Sequence, residues 1–132
     1  MALPRIAEPF LPDAADPNAT VFHTALATDT VVSLLPSRLF ILRAIVDTGV
    51  DDDRIVMAFD AIALPADGTE PLWEMFLPAN GGFVEAGEDF APVKGLSFLT
   101  GIVLAGSTTT GTLTVIPQND IVFFGMHVPD PV

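Results

Sequence analysis

The chain of 132 residues has no cysteine, no tyrosine, one tryptophan, and five basic side chains against 17 acidic ones. Each shortage excludes something. Without cysteine there is no disulfide, no thiolate nucleophile and no cysteine-based zinc site. Packing, strand pairing or contact with other chains must hold the fold. With only Arg5, Arg38, Arg43, Arg54 and Lys94 as cations, the formal charge is −12. Such a chain lacks the basic footprint that a phosphate backbone requires, which excludes nucleic acid as a partner. An anionic membrane surface is disfavoured on the same ground. Long apolar runs are missing too: the stretch from Leu39 to Val46 is interrupted by Arg43, whereas a spanning helix needs about 20 consecutive apolar residues. No membrane partner is expected. The opening MALPRIAEPF has neither the charged start nor the apolar stretch of a signal peptide.

What is present is apolar. Half the residues are hydrophobic and the mean hydropathy is +0.54. A chain of this length makes one domain with one core, and buries roughly two thirds of the surface that its unfolded form exposes. The high charge marks a soluble protein, yet the apolar content exceeds what a small monomer readily hides. Self-association, or burial against a larger assembly, resolves that conflict.

Residues 1–19 read as an extended N-terminal arm. Pro4, Pro9, Pro12 and Pro17 each fix their own φ and bias the preceding residue away from helix. Leu3, Ile6, Phe10 and Leu11 are apolar enough to dock on something, so the segment is either a frayed terminus or an arm that crosses onto a neighbouring subunit. Residues 20–132 read as a single domain. Short β-prone runs follow one another: TVFHTAL, TVVSLL, RLFILRAIV, RIVMAFDA, LWEMFL, the brief Phe83 to Glu85, LSFLTGIVLA, TLTVI and IVFFGMH. RLFILRAIV is apolar on both faces, with Leu39, Ile41, Arg43 and Ile45 on one and Phe40, Leu42, Ala44 and Val46 on the other, as a central strand requires. It reads as a hairpin with RIVMAFDA around DTGVDDD, and TLTVI as a hairpin with IVFFGMH. LSFLTGIVLA is a strand pair or one strand bent at Gly101. The spacing predicts an all-β fold, a β-sandwich or jelly roll of about eight short strands.

Groups that carry chemistry are sparse. Asp47, Asp51, Asp52 and Asp53 are hard oxygen donors of the kind calcium takes, but they do not follow an EF-hand pattern, and a solvated turn partly offset by Arg54 accounts for them. His23 and His127 are the only histidines and are not spaced as zinc ligands. Ser33, Ser37, Ser97 and Ser107 stand in no nucleophile-elbow context. Glu70 and Glu74 could be posed as a glycosidase pair, but they flank a strand. No phosphate-binding loop occurs. The residues therefore point to no catalytic or metal site, no cofactor and no enzyme. Trp73 is the one large aromatic with two readings: a core residue, or an exposed interface anchor or sugar platform.

The order of landmarks from Arg38 to His127, about two thirds of the chain, resembles a family. An apolar strand RLFILRAIV and an acidic turn lead to IVMAFDA. The turn ALPADGTEP and the strand LWEMFLP follow, then PVKGLSFLTGIVLAGSTTT and the closing TLTVIPQNDIVFFGMH. This resembles the small β-sandwich structural proteins of tailed bacteriophage particles, of the capsid decoration (cement) or head–tail accessory type, although tyrosine, common in that class, is absent here. The resemblance implies a virion protein, made in the host cytoplasm, that binds the outer face of a major capsid protein shell and stabilises subunit junctions, commonly as a homotrimer. Leu3, Ile6, Phe10, Leu11 and Trp73 are the interface residues this suggests. A tail or fibre module binding a receptor or glycan through Trp73 and the loops Asp47–Asp53 and Ser107–Gly111 is the alternative.

Overall fold

The computed structural model describes residues 19–86 and 95–130. The expected arm lies outside them except for Ala19, and with it Leu3, Ile6, Phe10 and Leu11. Among the described residues there is no helix. Nine strands form: β1 (Thr20–His23), β2 (Asp29–Ser33), β3 (Ser37–Val46), β4 (Arg54–Asp60), β5 (Trp73–Leu77), β6 (Phe83–Ala86), β7 (Leu96–Phe98), β8 (Ile102–Ser107) and β9 (Ile121–Pro129). All pair antiparallel, in two sheets. Sheet A runs β1-β9-β3-β6, with β7 also paired to β3; sheet B runs β2-β8-β4-β5. The two sheets pack as a β-sandwich.

The pairing is nested. β1 pairs with β9, β2 with β8, β3 with β6 and β4 with β5, as in one long ribbon folded at the β4–β5 connection. Rolling that ribbon brings β9 against β3 and β8 against β4. Leu39, Leu42, Ala44 and Val46 of β3, Val56 and Ala58 of β4, Ile102 and Leu104 of β8, and Ile121 and Phe123 of β9 form the main core between the sheets.

Three local expectations are corrected. β3 and β4 are not a hairpin. They lie in different sheets, and the acidic turn carries the chain across the sandwich. Its length is the physical reason: residues 47–53 exceed the two to five that usually close a hairpin. β3 also does not alternate from end to end. The register shifts between Leu39 and Ile41, so Leu39 and Leu42 both reach the core. TLTVI does not pair with IVFFGMH as a hairpin either. It belongs to a segment lying on the outer face of sheet B, where Leu113 and Val115 close a second apolar cluster over Ile55, Met57, Phe59, Val103 and Ala105. Backbone bonds lash that segment down: Leu113 N–H donates to the Thr69 carbonyl at 2.9 Å, and Gly68 N–H to the Leu113 carbonyl at 2.7 Å. Covered on both faces, every residue of β8 and all of β4 but Asp60 are buried. Between Phe98 and Ile102 the chain changes sheet, so LSFLTGIVLA is two strands, β7 and β8.

Candidate functional site

Sheet A receives no such cover from the described residues. Its outer face is built in rows set by register. Val21, Met126 and Ile41 lie side by side; His23, Phe124, Arg43 and Glu85 form the next row; Val122, Ile45 and Phe83 form the third. Val21, Ile45 and Phe83 are exposed. A groove of about 160 Å³ runs between Val21, Ile41, Arg43, Phe124 and Met126. Of these three rows the middle one carries the charge. Arg43 pairs with Glu85 and lies over the Phe124 ring, 5.9 Å from its centroid. His23 meets that ring edge-on at 5.7 Å. These three rows are thus apolar apart from one internally compensated ion pair, on a protein of charge −12.

The other residues singled out by sequence are distributed elsewhere. Trp73 is partly buried and packs against the main core. It pairs with Ala58, whereas the acidic turn adjoins Arg54, four residues away along β4. That separation is about 13 Å at strand rise, whereas the Ser107–Gly111 loop reaches the residue that follows Trp73. Glu74 accepts a hydrogen bond from Gly111 N–H at 3.1 Å. Glu70 lines a separate depression of about 360 Å³ with Phe59, Asp60 and Pro65. Ser33 and Ser37 share a hydrogen bond at 2.8 Å. The Ser107 hydroxyl donates to the Thr109 carbonyl and accepts from the Thr109 and Thr114 N–H groups. Among the described residues no group of three or more histidines or carboxylates is placed to hold a metal ion. In the acidic turn, Asp53 accepts from Ala79 N–H at 3.0 Å.

Among the described residues, two titratable groups depart from ordinary behaviour. Asp60 is subject to burial, which raises its carboxyl, but hydrogen bonds from the Thr100 backbone and hydroxyl, with Leu99 and Gly101 backbone N–H groups, outweigh it and hold the group below the usual carboxylate range. The connection 99–101 therefore stays pinned through neutral pH. His127 is pushed below the ordinary imidazole value of 6.5 by burial. Its Nδ1 has no hydrogen-bond partner among the described residues. Because the folded value is the lower one, the unfolded chain takes up the proton first as pH falls. Stability present above pH 6.5 therefore declines as acid is added, and levels off below the folded value. A His127→Phe variant is expected to show a smaller loss of stability than the parent between about pH 7.5 and 5.5, read from urea midpoints. Equal losses would mean that His127 is not the group responsible.

No family model, no curated protein and no solved structure matches this chain.

Proposed function

We propose that this protein is a structural component of a bacteriophage particle, a capsid decoration protein whose sheet A docks on other virion subunits. The reading rests on the outer face of sheet A, which the described residues leave uncovered along β1, β9, β3 and β6. An apolar surface whose central ion pair is self-contained suits packing against protein. A glycan site needs convergent polar groups in a concavity, and the rows of this face supply none.

The strand order supports a finer statement of the fold. With β7 set aside as an extension beside β3, eight strands form a rolled ribbon with the nested pairs described above, which is the plan of a jelly roll. Jelly rolls serve in viral capsid and lectin domains. The fold does not choose between them; the chemistry of the exposed face favours the capsid role. Within this reading the protein is a homotrimer at a junction of capsid subunits, where several weak contacts gain from avidity, and residues 1–18 tie neighbours together.

Antiserum against the purified chain is expected to label the shell of intact phage particles by immunogold microscopy. Particles reconstituted with a Phe83→Asp variant, or with residues 1–18 removed, are expected to carry less of the protein although its circular dichroism is unchanged. Absence of the chain from purified particles would overturn the virion assignment. Full attachment of Phe83→Asp would leave the virion role but remove sheet A as the docking face.

A further inference from the structure

The connection between β5 and β6, residues 78–82, carries the chain from sheet B to sheet A. It turns on two successive residues with left-handed backbone, Asn80 at φ 58° and Gly81 at φ 77°. Residues with a Cβ rarely adopt this conformation, and asparagine is among the few that do. Successive positive φ values are what a type I′ turn demands, and Asn-Gly is a pair that meets the demand. Position 81 also has little room for a side chain, because a Cβ there would lie 3.1 Å from Thr48 Cγ2.

The backbone thus selects a pair that is chemically self-reactive. Asn80 is exposed, and asparagine is a thermolabile residue. Gly81 N–H donates no hydrogen bond among the described residues. Glycine places no side chain between its own nitrogen and the Asn80 amide carbon. An electrophile and a nucleophile in adjacent residues also react without the entropic cost of meeting.

We propose that Asn80 is a site of spontaneous modification, which deamidates through a cyclic imide in the folded chain and loosens the acidic end of the sandwich. Gly81 N attacks Asn80 Cγ and forms a C–N bond. The Cγ–Nδ2 bond breaks, and ammonia leaves with the proton that Gly81 N gives up. Water then opens the imide at one of its carbonyls. Breaking the new bond to Cγ gives aspartate in an unaltered backbone. Breaking the bond between the Asn80 carbonyl carbon and Gly81 N gives isoaspartate, whose main chain runs through Cγ and is longer by a methylene. Either product adds a carboxylate to a chain already at −12.

The surroundings make that change felt. Asn80 N–H donates to the Val50 carbonyl at 2.8 Å and Val46 N–H to the Gly82 carbonyl at 3.0 Å. Ala79 N–H donates to Asp53 Oδ1 at 3.0 Å. These bonds join the connection to the acidic turn, so a carboxylate at position 80 stands next to the amide that Asp53 holds, and like charges are brought together. A longer backbone finds no slack either. The Pro78 carbonyl oxygen folds so close over Gly82 that a Cβ there would lie 2.0 Å from it. The same bonds resist the swing of the Asn80–Gly81 peptide plane that ring closure needs, so the folded chain reacts more slowly than the unfolded one. This inference stands apart from the virion reading.

The test is to incubate the full chain in mildly alkaline buffer, folded and in urea, and to map it by peptide mass spectrometry over time. Asn18 and Asn119, which precede Ala19 and Asp120, serve as internal references. In the folded chain Asn80 is expected to convert several-fold faster than either, into aspartyl and isoaspartyl products of equal mass that separate by chromatography. Full conversion in urea with none at Asn80 in the folded chain overturns the proposal, as does an Asn80 rate no higher than those of Asn18 and Asn119. Aged wild type is expected to melt below fresh protein, with faster hydrogen exchange at the Val46 amide. Asn80→Gly keeps the left-handed turn and has no side-chain amide, so it is expected to melt alike fresh and aged. Equal melting of fresh and fully converted wild type overturns the loosening, as does an equal loss in aged Asn80→Gly.

Discussion

Replacing Asp120 with alanine is expected to cost about 3–5 kcal/mol of folding stability, the range for breaking one side of a buried ion pair. For a domain of this size that is a fall of roughly 10–20 °C in Tm. Arg54 Nη2 and Asp120 Oδ2 are 3.0 Å apart, and the two side chains are only 8 and 7% exposed. Arg54 begins β4 opposite the fully buried Leu77. Asp120 immediately precedes β9, and its carbonyl accepts from Asp47 N–H at 2.8 Å. The pair therefore closes the end of the sandwich beneath the acidic turn, joining the start of sheet B's β4 to the start of sheet A's β9. Without Asp120, a guanidinium whose Nε already has no hydrogen-bond partner among the described residues is left buried with Asp52 4.0 Å away as its remaining counter-charge. The cost thus comes mainly from stranding Arg54. It follows that Arg54→Met/Asp120→Leu should recover most of the loss, since well-packed apolar replacements of buried ion pairs are often neutral or stabilising. Urea unfolding of the single and double variants decides the matter. A loss under about 1 kcal/mol for Asp120→Ala would mean that water reaches Arg54 and that the pair behaves as a surface one.

This pair also shows where reading the chain in order stops. Arg54 follows three aspartates, and its sequence neighbours offer themselves as its partners. Its closest partner is 66 residues away, and no local pattern reports that. The strands were legible for the opposite reason: β-branched and aromatic runs such as RLFILRAIV and IVFFGMH carry their preference locally. Adjacent runs suggest hairpins, but β3 and β4 cross between sheets, and the seven-residue length of the acidic connection is the signal of that crossing. TLTVI has the composition of a strand, yet it serves as a cover, because sheet B needs Leu113 and Val115 over Met57 and Phe59 more than it needs another edge.

The candidate surface was legible only as a total. An apolar content too large for one small core follows from composition, but its location depends on register. Ile45 and Phe83 share a row because β6 pairs with β3, and Val21 and Ile41 flank Met126 because β1 and β3 pair with β9. Trp73, for which core and interface readings stood side by side, packs toward the core and leaves the exposed faces to aliphatic side chains and phenylalanine.

Gly125→Ala is expected to destabilise the protein by about 3 kcal/mol or more, at or above the upper end of the usual cost of overpacking. A glycine inside a strand signals a bulge or a close backbone approach, and both meet here. Gly125 pairs with Leu42 just beyond the register shift between Leu39 and Ile41. A Cβ at Gly125 would lie 2.0 Å from the Ile41 carbonyl oxygen and 2.9 Å from its carbon. On the other side, Gly125 faces Phe22 of β1, whose Cζ would be 2.9 Å from the same Cβ. A flexible ring can turn aside, but a carbonyl in the middle of a central strand cannot move without displacing the side chains that β3 sends into the core. The obstacle is therefore the displaced backbone of β3. Two outcomes follow from that assignment. Hydrogen exchange in Gly125→Ala should quicken along β3 and β9 as well as at the edge strand β1. Adding Phe22→Ala should not restore stability, because the carbonyl remains in place. Recovery in the double variant would instead name the Phe22 ring as the obstacle, and the bulge would then tolerate a side chain at position 125.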